Sequence, residues 1–250
     1  MNKITSMNLL AFDTSTELMS IAVQLGGDGG KATVWQHTAP GGAHTSAHLI
    51  PAIQGLMAQA NLKFGQLHAI VFGCGPGSFT GLRTACSVAQ GLAFGANVPV
   101  LPIPTLLAVA EEARHQHAPT LAPWQVWALL DARMDEMYAA CYEFDMGQWS
   151  EVVGGSLIRP EDLGGGAHTV LAGNVFVAYG ARLPASLDGA HPPRATDRLQ
   201  ALPTAAALLR LAPALLAAGG ALPADQALPL YIRDKVAKTT LERAVEKAAL

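Results

Sequence analysis

A chain of 250 residues, 50% hydrophobic and 14% charged, has the length for one large domain or two small ones and too much apolar content to remain disordered. A formal net charge of −3 gives no general attraction to nucleic acid, and the basic residues are scattered until the C-terminus, so any RNA contact is expected through a partner. Cys74, Cys86 and Cys141 form no CxxC pair and lie in apolar surroundings, which argues against a disulfide framework and for a reducing, cytoplasmic setting.

The opening MNKITSM lacks the apolar run of a signal peptide, and residues 1–6 read as a leader or alternative start. Strands are expected at 8–13, 18–25 and 32–37, with Gly26 to Gly30 turning the second hairpin. A helix over 46–61 carries Leu49, Ile53, Leu56 and Ala60 on one stripe and the smaller His48, Ala52, Gly55 and Gln59 on another. Next comes HAIVFGCGPGSFTGLRTACSVAQGLAFG. Its apolar start at 69–72 predicts a buried strand, its glycines a tight turn, and Ser78 or Thr80 the cap of a helix running to Gly95.

Between Lys63 and Glu111 the only charged residue is Arg83, so this helix has almost no face suited to water and needs cover on more than one side. A strand at 98–101 completes the order of three strands, helix, strand, helix, strand, which is one ribonuclease-H-like lobe. The pattern then restarts: helix 105–117, strands 125–131, 136–144 and 149–157, strand 168–171, a short helix, a proline-spaced loop 184–203 and a helix 204–218. That last helix is interrupted by Arg210 and Pro213, so no membrane span is expected. The final 18 residues mix basic and acidic side chains and read as a solvated surface.

Asp13 and Asp131 each end an apolar strand and precede a polar turn, a weak repeat with an implied cleft between two lobes. Phosphoryl transfer in such a cleft needs an aspartate and a Gly/Ser/Thr turn from each lobe. The first lobe offers Asp13, Thr14 and Ser15; the second offers Asp131 with a bulky Arg133. The glycine turn before Arg83 lacks the lysine of a phosphate loop, so Ser78, Thr80 and Arg83 are anion contacts at most. His44 and His48 have no neighbouring Glu for an HExxH site, and Ser78 does not meet the Gly-x-Ser-x-Gly elbow.

Phe12-Asp13-Thr14-Ser15-Thr16, Gly75-Pro76-Gly77-Ser78-Phe79-Thr80-Gly81-Leu82-Arg83, Asp131-Ala132-Arg133-Met134-Asp135-Glu136-Met137-Tyr138 and Pro229-Leu230-Tyr231-Ile232-Arg233, in this order, resemble the bacterial TsaB (YeaZ) family of tRNA threonylcarbamoyladenosine biosynthesis. The resemblance implies an α/β fold of the actin, sugar-kinase and Hsp70 type with two ribonuclease-H-like lobes, divided here at 1–103 and 104–250, the tail packing back on the first lobe. It implies a non-catalytic scaffold that forms a homodimer, or a heterodimer with the catalytic paralogue TsaD. With the ATPase TsaE, that complex moves threonylcarbamoyl from its adenylate to the adenosine beside the tRNA anticodon.

The interface it implies is the two small-faced helices, through Ala52, Gly55, Gln59, Arg83, Ala85 and Ala89. Thr105 and Val109 stand where TsaD carries its HxxxH metal pair, which implies no metal and no cofactor of its own, with ATP or ADP only at the TsaD contact. Thr45-Ser46 replace a common His-Ser of the family, with His44 one residue early. The competing reading is an enzyme: a glycopeptidase-like hydrolase on Ser78 and Thr80, or a nucleotide-hydrolysing kinase relative on Asp13.

Overall fold

The computed structural model describes residues 7–27, 31–42, 45–117, 123–164, 170–184 and 198–233. The proposed leader, the tip of the Gly26 to Gly30 turn, His44, the start of the 168–171 strand, most of the 184–203 loop and the mixed-charge tail beyond Arg233 lie outside the described residues.

Buried, largely apolar central strands flanked by more exposed edge strands build two five-stranded sheets among the described residues. The first contains β1 (Leu9–Asp13), β2 (Leu18–Leu25), β3 (Thr33–Pro40), β4 (Ala69–Gly75) and β5 (Val100–Pro104), in the order β3-β2-β1-β4-β5. β1 pairs antiparallel with β2 and parallel with β4, setting Asp13 opposite Ser20 and Phe12 beside Phe72. The second contains β6 (Trp124–Arg133), β7 (Glu136–Asp145), β8 (Gln148–Ile158), β9 (Val170–Gly173) and β10 (Arg198–Gln200), in the order β10-β9-β6-β7-β8. Read from the other edge, the second order repeats the first: β6 takes the place of β1 and β9 that of β4. These are two ribonuclease-H-like lobes, with Asp13 at the end of β1 and Asp131 two residues short of the end of the equivalent β6. β10 falls inside the stretch expected as loop; three residues are too short for an alternating pattern to register.

Among the described residues five α-helices complete the layers: α1 (Thr45–Gln59), α2 (Phe79–Ala96), α3 (Thr105–His117), α4 (Phe176–Tyr179) and α5 (Ala205–Ala217). α1 and α2 cover one face of the first sheet. Leu49, Ile53, Leu56 and Met57 of α1 and Ala85, Cys86, Ala89 and Ala93 of α2 join Phe12, Ile21, Ile70 and Phe72 in one core. α3 and α5 lie between the two sheets and share a second core with residues of both.

That middle layer also carries the buried charges. Glu111 and Glu112 of α3 are 3% and 8% exposed. Arg210 of α5 donates to both, at 2.8 and 2.6 Å, and Arg114 and the Trp149 indole donate to Glu111. Thr204 caps α5 by accepting from Ala207 N–H, and its hydroxyl donates to Glu112 at 2.6 Å. Glu111 and Glu112 are thus both paired, as burial of charge requires. The three cysteines are buried free thiols, and no helix among the described residues is long and apolar enough to cross a membrane.

Candidate functional site

The polar turn after β1 and the glycine turn after β4 interlock. Thr14 Oγ1 donates to Gly81 O at 2.7 Å, and Ser78 N–H donates to Ser15 O at 2.7 Å. Gly73, Gly77 and Gly81 face this turn so closely that a Cβ at any of them would overlap Asp13 Oδ2, Ser15 or the Thr14 carbonyl respectively. The glycine run is therefore needed for two backbones to touch. Ser78 is the α2 N-cap, accepting from Gly81 N–H.

The consequence for Asp13 is complete burial, at 0% exposure. Its Oδ1 accepts from Ser15 N–H at 2.9 Å and from the Ser15 hydroxyl at 2.6 Å. Oδ2 is buried with no hydrogen-bond partner among the described residues. Burial raises the Asp13 pKa from 3.8 to about 6, against the lowering effect of the two Ser15 bonds. Because the folded-state pKa is the higher one, the native state holds this proton more tightly, and its contribution is greatest below pH 3.8 and lost as pH rises through 6. The shift corresponds to about 3 kcal/mol at 1.36 kcal/mol per unit. Asp13→Asn cannot ionise, so its stability relative to the parent should improve by about that amount between pH 4 and pH 8, as read from urea unfolding at the two values.

The equivalent Asp131 is occupied differently. Its Oδ1 accepts from Arg133 N–H at 2.8 Å and from the Tyr179 hydroxyl at 2.9 Å, while Arg133 Nη1 lies 2.9 Å from Oδ2. Asn174, at the end of β9, accepts the Asp131 N–H at 2.9 Å. Arg133, Met134 and Asp135 all have left-handed backbone (φ 63°, 57° and 62°), a costly conformation for side-chain-bearing residues. The turn is held by Arg182, which pairs with Asp135 at 2.8 Å and with Glu161 at 2.6 Å. A guanidinium thus stands beside the second aspartate, where a phosphate-binding lobe would present small residues and a cation.

Between the two turns lies a cleft of about 500 Å³, lined by Ser15, Thr16 and Ser78 from the first lobe, and by Asp131, Arg133 and Asn174 from the second. Of the residues proposed as anion contacts, Ser78 lines it. Asp13 and Thr14 are sealed beneath Ser15, and Thr80 and Arg83 are exposed on α2 outside the lining. The donor set does not fit a divalent cation with a nucleotide: one carboxylate is shut away and the other is paired with its own arginine. Thr105 and Val109, the positions compared with an HxxxH pair, are fully buried, and Thr105 Oγ1 accepts from Gly75 N–H at 3.1 Å.

The helical face needs one correction. Ala85 and Ala89, named as interface positions, are 0% exposed and point into the chain's own core. Leu82, Ala85, Cys86, Ala89 and Ala93 recur at helical spacing, and that stripe was the available signal. The outward face of α2 is instead Arg83, Ser87, Gly91, Phe94 and Gly95, with Phe94 83% exposed. On α1, Gly55 and Gln59 are exposed and Ala52 is half-buried. A Cβ added at Gly55, Gly91 or Gly95 would meet nothing within 4 Å. Helix-interior glycine costs about 1 kcal/mol relative to alanine, and the folded chain itself offers no packing reason for any of the three. Arg83 stacks over the Phe79 ring (3.8 Å to its centroid), and its Nε donates to the Tyr231 hydroxyl at 3.0 Å.

Comparison with known proteins agrees with this geometry. Residues 35–241 match a family model described as TsaD, tRNA N6-adenosine threonylcarbamoyltransferase. The tRNA threonylcarbamoyladenosine biosynthesis protein TsaB of Haemophilus influenzae is 33% identical over 92% of this chain and 95% of its own length. Its counterpart in Escherichia coli is 32% identical over 92% and 96%. Among solved structures, YeaZ from Pseudomonas aeruginosa superposes with a TM-score of 0.76 at 34% identity, covering 90% of this chain and 99% of that one. With the two-lobed fold, the interlocked Asp13 turn and full-length relatives of one name, this chain belongs to the TsaB (YeaZ) family of tRNA threonylcarbamoyladenosine biosynthesis proteins.

Proposed function

We propose that this protein is a non-catalytic subunit of tRNA threonylcarbamoyladenosine synthesis, supporting TsaD-catalysed transfer of threonylcarbamoyl to the adenosine beside the anticodon, with TsaE as a further component. The observation that carries the reading is the state of the two aspartates that an enzyme of this fold would use. Asp13 is sealed under a glycine turn, and Asp131 is ion-paired with Arg133 of its own turn. The partner surface in this reading is the outward side of α1 and α2, where Arg83 is the one formally charged residue in the two helices and three glycines lie open. Such a face suits a paralogous helix pair, either a second copy or TsaD, packed backbone to backbone.

The test is size-exclusion chromatography with light scattering on the full chain, alone and with its TsaD, followed by reconstitution of tRNA modification with and without the chain. A one-to-one heterodimer, together with modification that depends on the chain but survives Asp131→Asn and Ser78→Ala, is the expected result. Modification that proceeds equally without the chain would overturn the reading.

A further inference from the structure

After α5 the chain returns to the first lobe. Leu222 bridges Val100 at the β5 edge, and the Ala227 carbonyl accepts from Gln90 Nε2 of α2 at 2.8 Å. Leu230 N–H then donates to Cys74 O at 2.7 Å, and the Leu230 carbonyl lies so close to Gly75 that a Cβ there would overlap it. Tyr231 stacks on Phe79 with ring centroids 5.4 Å apart and accepts from Arg83.

Within the next two residues the chain reaches the second lobe. Ile232 packs against Gly155 of β8. Arg233 Nη2 donates to Glu136 at 2.6 Å and to the Arg133 carbonyl at 3.3 Å, and Nη1 donates to Met134 Sδ at 3.1 Å. The Arg233 side chain is 13% exposed and that of Glu136 34%, so this ion pair is better shielded than a typical surface bridge. Leu230, Tyr231, Ile232 and Arg233 line one cleft together with Ser78 and Arg133.

We propose that Leu230–Arg233 is a strap that fixes the angle between the two lobes across the mouth of the cleft, with Arg233 as its anchor on the strained Arg133–Asp135 turn. The two sheets are separate hydrogen-bonded units, joined on one side by α3 and α5. An unstrapped two-lobed molecule of this kind would hinge about that helical layer. The strap ties the end of β4 and the start of α2 to the β6–β7 turn, so lobe closure would break the Leu230–Cys74 bond or the Arg233–Glu136 pair. Its Tyr231–Arg83 contact reaches the first turns of α2. The lobe angle and the setting of that helix are held by the same four residues.

Amide hydrogen exchange on the full chain and on Arg233→Ala tests this, with Glu136→Gln as a gentler variant that keeps the arginine. The expected result is faster exchange, by about tenfold or more, both at 133–136 in the second lobe and at Leu230 and 79–83 in the first, with the centres of β1 and β6 unchanged. Acceleration confined to 133–136 would mean two independent contacts rather than a strap, and would overturn the proposal. A uniform rise over both lobes in Arg233→Ala, absent in Glu136→Gln, would assign Arg233 to global stability and overturn it equally.

Discussion

Gly81→Ala is expected to cost about 4 kcal/mol, the larger end of single-substitution effects, because the added Cβ would fall on the Thr14 carbonyl, a backbone atom with no rotamer to escape through. Relief requires α2 to lift away from the β1 turn. That breaks the Thr14 to Gly81 bond at 2.7 Å and the Ser78 to Ser15 bond at 2.7 Å. It also opens the lid over Asp13, whose raised pKa depends on burial. Urea unfolding reads the loss of stability. At roughly 2–4 °C per kcal/mol for a chain of this size, the melting temperature should fall by about 10 °C. Gly91→Ala in the same helix is the control: its Cβ meets open space, so it should stabilise by a few tenths to about 1 kcal/mol through helix propensity. Equal costs at the two positions would mean that the glycine turn is not what locks the lobe.

Most of the lobe architecture was legible because strands advertise themselves. The apolar runs leading to Asp13 and Asp131 suggest the repeat, and the sheets place the two residues near the same end of equivalent strands. Ser78 was legible as a cap by chemistry alone. The orientation of α2 is harder to read: a helix of Ala, Gly, Ser and Cys with one charge offers little polar contrast, and Ala85 and Ala89, small enough to suit an outward interface, face in. The interlock at Gly73, Gly77 and Gly81 could be read as close packing, but not as the burial of Asp13, since the contact spans about sixty residues of sequence. The strap was invisible for the same reason. Arg233 and Glu136 are 97 positions apart, and nothing in Pro229-Leu230-Tyr231-Ile232-Arg233 says which lobe each residue will touch. Local pattern specifies elements, whereas pairing at such separations is decided by the assembled topology.

Gly91→Arg should abolish association, whether with a second copy or with TsaD, while leaving the monomer folded. Two properties of the outward α1–α2 face decide this outcome. First, Gly55, Gly91 and Gly95 are open in the monomer, so a side chain there strains nothing internal. Second, a partner helix that packs against a glycine approaches to backbone distance, and a guanidinium placed in that gap must be either desolvated without a counter-charge or excluded together with the partner. Arg83, the formally charged residue of these two helices, is itself a cation and supplies no counter-charge. An unpaired buried charge costs about 3–5 kcal/mol, which is a loss of roughly two to nearly four orders of magnitude in affinity. Light scattering at micromolar concentration should therefore find a monomer that does not bind TsaD, with a melting temperature equal to the parent's or higher, because arginine is the better helix former. Association at parental affinity would remove α1 and α2 from the interface. Loss of association together with a lower melting temperature would show that Gly91 supports the fold itself, contrary to the open space around it.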